Sequence, residues 1–147
     1  MRRLFSRLVI VGILTAIGWI GYQISDFTTC EGPGAEAWVN ATTDRLEAAD
    51  YDYTSWDDYT TLGQFSVLAV QAEKRYREQL EQETIKCLKD LHDHNIDFFW
   101  YEWKMYEAAS NGDFELAAQY DAESIRASEA AMREFDRMAE KYNWDLD

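Results

Sequence analysis

Residues 87–106 read CLKDLHDHNIDFFWYEWKMY, and a short step later comes Asn111-Gly112-Asp113-Phe114. At helical spacing Cys87, Leu91, His94, Phe98, Tyr101 and Met105 form one face. Leu88, His92, Asn95, Phe99, Trp103 and Tyr106 form a neighbouring face. Together they span well over half the helix surface, more than one opposing helix can cover. Either two helices flank this segment, or part of it is exposed and takes a partner. Asn111-Gly112 is the clearest turn signal in the chain, and Asp113 is placed to cap a last helix from Phe114 to about Tyr142. Phe114, Ala117, Ile125, Ala131, Met132, Phe135, Met138, Ala139 and Tyr142 share one of its faces. These signals predict an antiparallel helical hairpin that turns at residues 111–112.

Upstream, between Ser55 and Ser110, only Gly63 is a candidate stop. An unbroken helix over this span would be ~80 Å long. Trp56, Tyr59, Leu62, Phe65, Ala69 and Ala72 give it an apolar stripe. Glu73 to Lys86 is mostly charged, with Tyr76, Leu80 and Ile85 its apolar residues. That stretch predicts a solvated helix touching its neighbour along a narrow seam. A shorter helix is expected from Ala35 to Ala49, with Ala35, Trp38, Val39, Thr42, Leu46 and Ala49 on one face. Asp50-Tyr51-Asp52-Tyr53 should end it. Thr54 or Ser55 should cap the next helix, with Asp57 and Asp58 in its first turn. The chain holds one proline, Pro33. So few breakers predict an all-α fold, and no segment recurs at a fixed period.

Leu8 to Ile24 reads LVIVGILTAIGWIGYQI and carries no charge. At ~1.5 Å per residue it reaches about 26 Å, near the lower limit for crossing a hydrocarbon core. Arg2, Arg3 and Arg7 precede it, and Trp19 and Tyr22 lie toward its outer end. The positive-inside rule then puts residues 1–7 in the cytoplasm as a basic tail and 8–24 in the cell membrane as a single-pass signal anchor. A linker comes next over 25–34, where Gly32-Pro33-Gly34 should not continue a helix. Residues 35–147 become an acidic extracytoplasmic domain, periplasmic or extracellular. A cleaved signal peptide is the competing reading, although no good cleavage site lies near residues 22–29. Both readings export the domain. The whole is expected as a single N-terminal transmembrane helix followed by a helical bundle built on a long antiparallel hairpin.

The formal net charge is −14, and all 28 acidic residues come at or after Asp26. Nucleic acid is therefore not expected as a partner, and anionic lipid headgroups would repel the domain. Basic proteins and cations are permitted, and solubility alone accounts for the charge.

Among candidate sites, the run Phe98, Phe99, Trp100, Trp103 and Tyr106 is the densest, and reads as core or as an interaction face. Asp90, His94 and Asp97 lie near one line on the helix and are the metal-site candidate. His92 and His94 diverge too far on a regular helix to share an ion. Asp121 falls on the apolar face of the last helix, level with Glu102, where Tyr101 is the expected hydrogen-bond partner. Cys30 and Cys87 are the only cysteines. An exported domain permits a disulfide within the chain, one between chains, or two free thiols. No nucleophile–base pair or cofactor motif is legible, so the chain is not expected to be an enzyme or to carry a cofactor. The expected role is a membrane-anchored interaction or structural protein that binds a protein partner, or itself as a homo-oligomer, through the aromatic face. The alternative is an exported sensor or small-ligand-binding module acting through a partner.

Overall fold

A computed structural model describes residue 30, residues 33–54 and residues 61–142. The described residues are helical and contain no strand. Helix α1 spans Pro33–Thr54, α2 Leu62–Glu81, α3 Lys89–Ser110 and α4 Phe114–Tyr142, with a 3₁₀ turn at Lys86–Leu88 before α3. The expected anchor, Leu8 to Ile24, and the basic tail before it lie outside the described residues. So do Ser55, Trp56, Tyr59 and the expected first-turn aspartates Asp57 and Asp58. Among the described residues no helix is long and apolar enough to cross a membrane.

Helix α1 is longer than the sequence predicts at both ends. Pro33 opens the helix instead of barring it. A first-turn residue needs no intrahelical donor, and proline's fixed φ already suits the helix. At the other end Asp50 to Tyr53 stay helical. They include no glycine or proline, and the Asp52 carboxylate is held by Arg75 of α2.

The long helix expected from Ser55 to Ser110 is instead two helices. Thr61 and Gln64 form a capping box that starts α2: the Gln64 backbone N–H donates to Thr61 Oγ1 (3.3 Å) and the Thr61 N–H to Gln64 Oε1 (3.0 Å). Helix α2 then stops at Gln82, whose backbone is extended. No glycine or proline forces this break. Thr84 and Ile85 are β-branched and favour extended backbone. The Thr84 hydroxyl donates to the Gln82 carbonyl at 3.2 Å, a local bond that competes with the helix. The chain reverses there, and α3 returns antiparallel to α2.

The second reversal is built as expected. Gly112 sits at φ +79, where a side chain would be strained. Its N–H donates to Ala109 C=O (2.9 Å) and that of Asp113 to Ala108 C=O (3.0 Å), a Schellman motif closing α3. Asp113 Oδ1 then accepts the Leu116 N–H at 3.0 Å and caps α4.

Helix α3 therefore lies between α2 and α4, which flank it on two sides. One core joins Phe65, Leu68 and Ala72 of α2 to Met105, Tyr106 and Ala109 of α3 and Ala117 of α4. A second lies at the opposite end. There Cys30, Ala35 and Trp38 meet Leu88, Leu91, Ala131 and Met138. Cys30 and Cys87 form a disulfide within the chain, with Cα atoms 6.3 Å apart. The break in the long helix makes this possible, because it brings Cys87 into the turn beside the start of α1.

Candidate functional site

Helix α1 meets α2 and α3 along a ladder of polar side chains. At its lower rung Arg75 donates from Nη1 to Asp52 Oδ2 (2.8 Å) and from Nη2 to Glu102 Oε1 (2.6 Å). All three side chains are buried. Burial pushes the Glu102 carboxyl up from its usual value, and the Arg75 guanidinium opposes that rise. Burial also works against the charge on Arg75, but Glu102 and Asp52 outweigh it and hold the guanidinium above its ordinary value.

The next rung fixes its own protonation. Arg45 Nε donates to Gln79 Oε1 at 3.1 Å, so the Gln79 amide nitrogen must face the other way. That nitrogen lies 2.9 Å from His92 Nδ1 and can only donate. His92 Nδ1 is thus the acceptor and the ring is neutral, with its proton on Nε2. Burial agrees, pushing the His92 pKa down. Above this rung Arg45 also reaches the Gln82 side chain, whose Nε2 donates to the Trp38 carbonyl at 3.3 Å.

Beside the ladder, α1 stands off from α3 and α4 and leaves a groove of about 360 Å³. Its wall is mostly apolar: Val39 and Leu46 from α1, Leu91 from α3, and Ala131, Met132 and Phe135 from α4. Thr42, Thr43, Ser128 and Asp136 add polar groups to it, and two further residues carry polar atoms into the groove. Asn95 of α3 is only 2% exposed and lines the groove, and among the described residues its side-chain amide makes no hydrogen bond. Trp38 also lines the groove, edge-on to His92 with ring centroids 5.9 Å apart. Among the described residues its buried Nε1–H has no hydrogen-bond partner. A buried donor such as this Nε1–H is seldom left unpaired.

The expected interaction face is divided between two neighbours instead of facing outward. Phe99 and Tyr106 are 0% exposed, so no partner can touch them in this fold. Trp103 stacks on Tyr76 of α2 (5.7 Å) with the Lys104 ammonium 4.0 Å from its ring centroid. Trp100 meets Tyr120 of α4 edge-on at 5.9 Å. Phe98, Trp100 and Trp103 are half-buried. The reason is the chain reversal at residues 82–85, which supplies a second flanking helix.

Among the described residues no three His, Cys, Asp or Glu side chains converge to hold a metal ion. Asp90 and Asp97 are exposed on α3, and His94 is half-buried beside them. The Asp121 carboxylate does not take Tyr101 as its partner. Its Oδ1 is buried without a hydrogen bond among the described residues, and burial pushes the carboxyl up. Tyr101 instead packs between Trp100 and Tyr120. The buried carboxylate of α3 that is paired across helices is Glu102, and its guanidinium partner comes from α2 and not from α4.

The charged stretch of α2 also turns inward differently from its expected seam. Arg75 and Gln79 are buried, whereas Leu80 is 52% exposed. The α1 wall was legible, since Trp38, Val39, Thr42 and Leu46 already share a face. The α4 stripe was legible in part: Ala117, Ala131, Met138 and Ala139 are buried, but Phe114, Ile125 and Met132 are exposed. No family model, curated protein or solved structure matches the chain.

Proposed function

We propose that this chain is a binding module, carried outside the cytoplasm on its N-terminal apolar segment, that takes a small ligand in the groove between α1, α3 and α4. The observation that carries the reading is the Asn95 side chain, which lines an apolar groove of about 360 Å³ and makes no hydrogen bond among the described residues. Small-ligand sites are concave and mostly apolar, with a few polar groups that orient the bound molecule, and run from roughly 300 to 1,000 Å³. In this reading the chain binds and does not catalyse.

The test is a ligand screen followed by nuclear magnetic resonance. Binders should shift the Asn95 side-chain amide, and Ser128→Trp, which fills the groove, should abolish the shifts. Ligands that perturb only Phe98, Trp100 and Trp103 would displace the groove as the site. Export is tested separately: protease added to intact cells should trim the C-terminal domain.

A second reading keeps the protein partner or a second copy of the chain. It is favoured by the half-buried edges of Phe98, Trp100 and Trp103, which remain at the surface along α3. Sedimentation of the parent and of Trp100→Ala separates the two, because a groove-binding monomer is indifferent to that change.

A further inference from the structure

The charge around the groove selects among ligands. Among the described residues its lining contains no lysine or arginine, and its one charged member is Asp136 of α4. Asp136 is exposed at the rim and forms no ion pair among the described residues. The basic residues on either side of it are already engaged: Arg133 pairs with Glu129 at 3.7 Å, and Arg137 pairs with Glu134. Arg45, the one basic residue of α1, is engaged by Gln79 and Gln82 and by the Thr42 hydroxyl, and is not itself in the lining. Among the described residues the free charge at the rim is therefore negative, within a chain of net charge −14. Inside, the Asn95 amide offers both a donor and an acceptor.

We propose that the groove takes a small cationic amphiphile: an apolar body against Leu46, Leu91 and Phe135, an amide or carbonyl group at Asn95, and an ammonium at Asp136. This rests on the groove being the binding site. The apolar body supplies most of the affinity, by removing hydrocarbon from water. The amide group pairs with the Asn95 side chain, donor to acceptor and acceptor to donor. The ammonium end gives selectivity, since a carboxylate in its place would face Asp136 and the acidic field around it.

Three matched probes test it: N-hexanoylputrescine, N-butylhexanamide and N-hexanoyl-γ-aminobutyrate. They share the chain and the amide, and differ in a cationic, neutral or anionic end. Calorimetry on the full chain should rank them in that order, with about threefold between the first two and about tenfold between the first and last. The Asn95 amide and Trp38 indole signals should move with the first two. Asp136→Asn, a change at an exposed position that leaves the fold intact, should remove the preference for the ammonium. If all three bind the groove equally, or if the preference survives Asp136→Asn, the charge assignment is overturned while the groove remains a site. If none shifts Asn95 or Trp38, the groove reading falls as well.

Discussion

Arg75 Nη2 lies 2.6 Å from Glu102 Oε1 in the interior of the bundle, and the same guanidinium holds Asp52 from a third helix. One cation thus joins α1, α2 and α3. It is outnumbered by two carboxylates, so its removal and the removal of a carboxylate are not equivalent.

Arg75→Met should cost about 3–5 kcal/mol, because it strands two buried carboxylates without a partner. Glu102→Gln keeps an acceptor for the guanidinium and removes the surplus charge. Its cost should be below about 1 kcal/mol. Urea unfolding with an unchanged m-value measures both.

Reducing the Cys30–Cys87 disulfide should destabilise the domain by about 2–4 kcal/mol. The two cysteines are 57 residues apart in sequence, and that long loop regains its freedom in the unfolded chain. Helix α1 approaches the other helices sparsely, so its amides should lose exchange protection first. Hydrogen exchange with and without reductant measures this, and uniform loss over all four helices would contradict it.

His92 should make stability fall as the medium turns acid. Burial holds its pKa below the ordinary value of about 6.5. Its contribution is therefore present above the unfolded pKa and is lost as pH falls through the lowered folded value. A proton on Nδ1 would also face the Gln79 N–H. His92→Asn should flatten this limb of a Tm against pH curve.

Asp121 runs the other way. Its carboxyl is raised by burial, so its contribution is present below about 3.9 and lost as pH rises through the folded value. Asp121→Asn should raise Tm at neutral pH, and the gain should vanish in acid. Equal Tm for parent and variant at both ends of the range would mean that the carboxylate is solvated.

Phe99→Ala should cost about 3–5 kcal/mol, because the ring is 0% exposed and leaves a cavity. Calorimetry on the isolated domain decides between this and a role for the ring in association. A variant that keeps its Tm but loses an oligomer would restore the aromatic face as an interface.

The all-helical character was legible in the scarcity of breakers, and the reversal at Asn111-Gly112 in residue types that serve a positive φ. The α1 face from Ala35 to Ala49 was legible in its spacing. The break at residues 82–85 was not, because Gln82, Glu83, Thr84 and Ile85 hold no glycine or proline. Their departure from helix depends on the bonds that Gln82 makes and on Leu88 and Leu91 finding a core. From that break came the second flanking helix, the closing of Cys30 on Cys87 and the burial of Phe99 and Tyr106.

The sequence by itself determined that the chain forms helices, where the final hairpin turns, and that the apolar surface of residues 87–106 exceeds the area one helix can cover. Periodicity and turn chemistry are local, and a single stretch of chain carries them. The tertiary structure alone decided which charges are buried, that Arg75 and Gln79 face inward while Leu80 faces water, and that α1 stands off to leave a groove at Asn95. Those outcomes depend on partners distant in the chain, and a residue's own neighbours in sequence do not specify them.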